Sequence, residues 1–137
     1  MVTSVSCTSA TFCVAAGDYL DLASNAQALV STWNGTSWTD QEVGAALNTH
    51  GNAGLYGVSC TSTTFCVAAG SYSDSASHSQ ALVSTWNGTS WTDQEVGAAL
   101  NAGGNAVLDG VSCVKGALCV TGATTKTAPV DRPSSAP

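Results

Sequence analysis

The stretch QALVSTWNGTSWTDQEVGAALN at Gln27 to Asn48 returns without a change at Gln80 to Asn101. Ahead of it, VSCTSATFCVAAG at Val5 to Gly17 returns as VSCTSTTFCVAAG at Val58 to Gly70, so both parts recur after 53 residues. A chain that repeats at a fixed interval folds as copies of one supersecondary unit that bury their apolar faces against each other. A third start, VSCVKGALCVTG at Val111 to Gly122, keeps the interval and then gives way to ATTKTAPVDRPSSAP. The expected organisation is therefore a repeat over 1–57, a second over 58–110, a partial third over 111–122 holding only a first hairpin, and a flexible Pro-containing tail over 123–137.

Each full repeat reads as four short strands in two hairpins. VSC passes through a polar turn into FCVAAG, a variable loop follows, and QALVSTW turns at NGTS into WTDQEV. Asn34-Gly35 and Asn87-Gly88 are the strongest turn signals, because Asn and Gly tolerate the positive φ angles of a tight reversal. Alternation in FCVAAG sets Phe12, Val14 and Ala16 against Cys13, Ala15 and Gly17, and in QALVSTW sets Ala28, Val30 and Thr32 against Leu29, Ser31 and Trp33. Neither face carries charge, the pattern of sheets covered on both sides. Only the last strand is polar, with Asp40 and Glu42 on one face and Gln41 on the other, as suits an edge defended against stray pairing.

Four antiparallel strands, this period and two apolar faces describe an all-β fold of β-propeller blades: two blades plus a partial third. A propeller ring takes four to eight blades. The ring is thus expected to be completed by oligomerisation, with the chain as its own partner. Three VSC hairpins stand against two Trp hairpins, so the third is surplus, exchanged between chains, or the stub of a larger propeller. An open stack grown by strand donation is the other assembly considered.

The pattern VSC…FCVAAG followed by STWNGTSW resembles the BNR, or Asp-box, repeats of sialidase-type propellers of the secreted bacterial type, across residues 5–122. The box differs here, since Asn34 stands in place of the Asp and is directly followed by Gly35. The resemblance implies a hairpin joining the outer two strands of a blade, with its aromatic residue wedged between blades. It does not extend to sialidase activity, which needs an arginine cluster where this chain has Arg132 alone, in the expected tail.

Charge narrows the partners. Charged residues make up 9% of the 137 residues, and Met1 to Val114 contains no Lys or Arg. Nucleic acid and anionic membrane surfaces are accordingly not expected partners. No apolar run reaches the roughly 18 residues of a membrane span. No signal peptide is read in this chain, so any targeting segment is expected outside it.

Six cysteines form three equally spaced pairs, Cys7/Cys13, Cys60/Cys66 and Cys113/Cys119. Zinc sites use closer spacings and commonly His, whereas His50 and His78 occupy different repeat positions. Set on two strands joined by a short turn, each pair suits a disulfide, and this implies a secreted, oxidising location. The alternative is six reduced cysteines packed as small apolar residues. No cofactor or metal is expected.

No catalytic set emerges. Asp40 with Glu42, and Asp93 with Glu95, suggest paired carboxylates for glycoside hydrolysis, a distant alternative beside a solvated edge strand. Binding is the better prospect, and two roles compete for Trp33, Trp38, Trp86 and Trp91: flat faces for sugar rings, or wedges between blades. The chain is similar here to fucose-binding propeller lectins with Trp hairpins in two-repeat chains, although those lectins use an Arg in their sugar sites. Tyr19, Tyr72, Asp21 and Asp74 persist in loops that otherwise differ between copies, and complete the candidate ligand set. The expectation is a non-catalytic, self-assembling binding or scaffolding module, with a carbohydrate-binding lectin as the alternative. The sequons at Asn34 and Asn87 are explained by turn chemistry without a glycan.

Overall fold

In a computed structural model, which describes residues 1–97, 100–114 and 118–125, the described residues form ten strands in three antiparallel sheets. The first sheet runs β1 (Val2–Ser9), β2 (Phe12–Leu20), β3 (Ala26–Trp33) and β4 (Trp38–Val43), each strand beside its sequence neighbour. The second repeats this meander with β5 (Gly54–Ser62), β6 (Phe65–Ser73), β7 (Ser79–Trp86) and β8 (Trp91–Val96). The third contains β9 (Ala106–Val114) and β10 (Leu118–Thr125). The all-β class and the four strands per full repeat agree with the sequence reading.

Strand limits depart from it in detail. β5 starts at Gly54 and β9 at Ala106, each a few residues ahead of the VSC motif. β10 continues to Thr125, so the first three residues of the expected flexible tail belong to a strand, because Ala123, Thr124 and Thr125 pair with Leu108, Val107 and Ala106. The rest of the expected tail, 126–137, lies outside the described residues.

Disulfides Cys7–Cys13 and Cys60–Cys66 close the β1–β2 and β5–β6 hairpins, where the paired cysteines face each other in register with Cα atoms 4.0 Å apart. Two such crosslinks suit an oxidising, extracellular-type environment. Cys113 stands opposite Cys119 in the β9–β10 register, while the Cys119 side chain lies outside the described residues. No helix among the described residues is long and apolar enough to cross a membrane.

The sheets stack face to face. Phe12, Val14, Ala16, Ala28, Val30 and Val43, from one face of the first sheet, pack with Val58, Cys66, Ala68, Tyr72, Leu82 and Trp91 from the second. A smaller core joins Ala69 and Ala81, on the opposite face of the second sheet, to Ala106 and Leu108 of β9. The second sheet is therefore covered on both faces, whereas the first is covered on one. The sequence pattern predicted two covered faces for both sheets, and the structure corrects this for the first: its Val5, at 59% exposed, occupies the position of buried Val58.

Hydroxyl-to-backbone bonds tie the leading strands together. Ser4 Oγ accepts from the Val58 N–H at 3.2 Å and Ser6 Oγ from the Cys60 N–H at 2.9 Å. One sheet further on, Ser59 Oγ accepts from the Cys113 N–H at 3.1 Å. The strands also approach closely: a Cβ on Gly57 would lie 2.7 Å from the Gly110 Cα, so a side chain there forces β5 and β9 apart.

Candidate functional site

The Trp hairpins owe their shape to Asn34 and Asn87. Asn34 Oδ1 accepts the N–H groups of Thr36 and Ser37 at 2.8 and 2.9 Å, and Asn87 does the same for Thr89 and Ser90. Gly35 and Gly88 take φ of 97° and 100°, the left-handed region that makes Gly the residue of choice after Asn. The turn sets Trp33 opposite Trp38 and Trp86 opposite Trp91, with ring centroids 5.4 and 5.6 Å apart and rings tilted by 44° and 41°. Trp33 Nε1–H donates to the Ala10 carbonyl at 3.2 Å, and Trp86 Nε1–H to that of Thr63 at 3.0 Å. Each inner Trp thus anchors its hairpin to the turn of the disulfide hairpin beside it.

Register then assembles a face. Cys7, Cys13, Trp33 and Trp38 stand opposite one another across all four strands of the first sheet, and Cys60, Cys66, Trp86 and Trp91 across the second. Directly paired residues share a face, so disulfide, Trp pair and the alternating residues Leu29, Ser31, Asp40 and Glu42 lie together. In the second sheet this face is pressed against the first. In the first sheet it is open, and beside β3 and β4 it holds a recess of about 410 Å³ lined by Tyr19, Leu29, Asp40, Gln41 and Glu42.

The candidate ligand residues divide accordingly. Trp33 and Tyr19 are half-buried and Trp38 is 48% exposed, all on the open face of the first sheet. Trp91 and Tyr72 are buried between the sheets, and Trp86 packs against the same core. Asp21 and Asp74 bind their own loops. Asp21 Oδ1 accepts the N–H groups of Ala23 and Asn25 at 2.9 Å, and Oδ2 accepts from Gln27 Nε2 at 3.1 Å. Asp74 makes the same contacts to Ala76, His78 and Gln80 at 3.0, 2.9 and 2.9 Å. The Asn25 N–H and the Gln27 amide hold the Asp21 carboxyl below the usual carboxylate range, and the Gln80 amide and the His78 N–H do so for Asp74. Ser24 and Ser77, each at φ 66°, mark the tight bend that these carboxylates hold closed. Their recurrence in variable loops has this local explanation.

Tyr19 and the strand-end carboxylates are also paired. Tyr19 Oη donates to Glu42 Oε1 at 3.0 Å, which raises the tyrosine pKa above its ordinary value. Tyr72 is raised further, first by burial and then by its hydrogen bond to Glu95. Ser31 Oγ donates to Asp40 Oδ1, and Ser84 Oγ to Asp93 Oδ1, both at 2.6 Å. The strand-end carboxylates thus receive specific donors, beyond the edge-guarding role that alternation predicted. No group of three His, Cys, Asp or Glu able to hold a metal ion occurs among the described residues.

No family model, curated protein or solved structure matches this chain.

Sequence reasoning missed the segment after β4. Gly44 N–H donates to Asp93 Oδ2 at 2.8 Å, joining the end of the first sheet to the last strand of the second. Asn48 is buried: its Nδ2 donates to the Ala26 carbonyl and Gln27 Oε1, while Oδ1 accepts from Asn52 and, at 3.3 Å, from the Ser73 N–H of the second sheet. The His50 N–H returns a bond to the Ser73 carbonyl at 3.1 Å. A signal was present, because the unchanged repeat runs past WTDQEV through GAALN, beyond the last strand it needs to encode.

Proposed function

We propose that this chain is a non-catalytic, secreted binding and scaffolding module built from β-propeller blades of the Asp-box-like type, and that it assembles with copies of itself. The observation that carries this reading is the open face of the first sheet. Its Val5, Leu29 and Trp38 stand at the positions of Val58, Leu82 and Trp91, which the second sheet buries, and a contiguous exposed apolar face marks an interaction surface. The sequential meander within each sheet, face-to-face stacking and leading strands linked side by side support the blade assignment. The two disulfides support secretion.

The exposure of Trp38, with Trp33 beside it on the open face, favours one second reading, a carbohydrate-binding surface on that face. The two readings compete for one surface. Light scattering of the full chain over a wide concentration range is expected to give a small, defined multiple of the 13.6 kDa chain. A monomer at every concentration overturns self-assembly, and if that monomer binds a glycan only while Trp38 is intact, the carbohydrate reading replaces it.

A further inference from the structure

The recess on the first sheet has a counterpart that is already occupied. Its lining residues Tyr19, Leu29, Asp40 and Glu42 match Tyr72, Leu82, Asp93 and Glu95 in the second repeat. There, Asp93 Oδ2 receives the Gly44 N–H, and Leu82, fully buried, lies so close that a Cβ on Gly44 would sit 3.1 Å from its Cδ2. Val43 is buried in the same core and Leu47 packs against it. The segment from Val43 to Asn48 is thus a plug, and the strands bearing Leu82 and Asp93 form its seat.

The other end of the molecule presents the same plug unseated. Gly97 keeps the backbone angle of Gly44, φ 72°, but among the described residues a Cβ there would have nothing within 4 Å. Leu100 is 75% exposed where Leu47 is packed, and Val96 is only half-buried. Asn101 already makes the local bonds of Asn48, to Ser79, Gln80 and Asn105. We infer that the recess of Tyr19, Leu29, Asp40 and Glu42 is a seat for the Val96, Gly97 and Leu100 segment of a second copy of this chain. The inference rests on the self-assembly proposed above and names its joint. In that joint the Gly97 N–H donates to Asp40 Oδ2 of the second copy, and Asn101 Oδ1 accepts from that copy's Leu20 main-chain N–H. Leu20 supplies this N–H as well as Ser73 does in the internal joint, because only the backbone is used. Plug and seat lie on different surfaces, so the contact is head-to-tail, the kind that repeats from copy to copy and closes into a ring where the rotation between copies allows.

One element stands in the way. β9 covers Ala69 and Ala81, the part of the second sheet on which β1 and β2 of an incoming copy would lie. β2 is held by its ladder to β3, whereas β9 and β10 form a two-stranded sheet with no ladder to the rest among the described residues. A two-stranded hairpin is marginal by itself. The β9–β10 hairpin therefore gives way as the joint forms.

Two variants of the full chain test the joint: Asp40→Lys breaks the seat and Leu100→Asp breaks the plug, both at exposed positions. Alone, each is expected to remain monomeric by light scattering with unchanged circular dichroism. Mixed, they are expected to form a 1:1 dimer, since one supplies an intact plug and the other an intact seat. Amides of Ala106 to Leu108 should exchange faster in that dimer than in either monomer. Variants that each assemble like the parent chain, or a mixture that stays monomeric beside an assembling parent, overturn the joint alone. A parent chain that is itself monomeric overturns the assembly reading as well.

Discussion

Trp38 and Trp91 occupy the same place in the same hairpin, yet Trp38 is 48% exposed and Trp91 is 9% exposed. The hairpins agree in turn geometry, ring separation and anchoring bond, so nothing local accounts for the difference. Trp91 has a sheet against it and Trp38 does not. Shape is written into the repeat and burial is conferred by a neighbour, as expected of units that cannot bury their own faces. The comparison also orders the two roles considered for the Trp residues: wherever a neighbouring sheet is present, the outer Trp is part of the packing.

The largest expected effect tests that statement directly. At concentrations where the chain is monomeric, Trp91→Ala should cost about 3 to 5 kcal/mol, the usual range for emptying a large buried aromatic site. Trp38→Ala should cost about 1 kcal/mol, because half of its surface already meets water. Both variants lose a tilted Trp partner, so that contribution cancels between them. Urea unfolding of the two variants measures the gap. Equal costs would mean that the sheets do not pack as described, and a gap that narrows as concentration rises would mean that a second copy covers Trp38.

A smaller difference separates the two copies of the strand-end aspartate. Asp93 accepts from both Ser84 Oγ and the Gly44 N–H, whereas Asp40 has the first kind of bond, from Ser31. Asn carries one carbonyl oxygen and turns an NH2 toward one of the two donors. Asp93→Asn should therefore cost about 1.5 to 3 kcal/mol, the worth of a hydrogen bond to a charged group. Asp40→Asn should stay within about 0.5 kcal/mol, as exposed substitutions do. The same denaturation series reads both, and matching losses would remove the Gly44 contact as a link between sheets.

The contrast marks how far the residues can be read without coordinates. Hairpins were legible because Asn-Gly turns, Cys spacing and alternating strands are local signals, and Cys7–Cys13 and Cys60–Cys66 pair across the strands that carry them. The open face was not legible, because identical stretches cannot say which copy has a neighbour. Alternation also made both faces of each sheet equivalent, although only one face of the first is covered. Asp21 and Asp74 drew attention as constant residues in changing loops, but the constancy reflects N–H groups two and four residues ahead. Asn48 and Gly44 looked like connection and are contacts between sheets, since their partners Ser73 and Asp93 lie well outside any local window.

The smallest expected difference lies in those loops. Asp21 and Asp74 have folded pKa values below the unfolded value of about 3.9, because loop N–H groups and a Gln amide bind the charged form. A depressed carboxyl pKa contributes stability that is fully present above the unfolded pKa and is lost as pH falls through the folded one. Stability should therefore decline with acid below about pH 4, and Asp21→Asn or Asp74→Asn should make that decline shallower while lowering stability at neutral pH. Both carboxylates bind within their own loop and neither relies on the sheet interface. The two substitutions should thus flatten the acid limb to a similar degree. Denaturation from pH 2 to pH 7 measures both slopes, and a large difference between them would mean that loop closure, unlike hairpin shape, depends on having a neighbouring sheet.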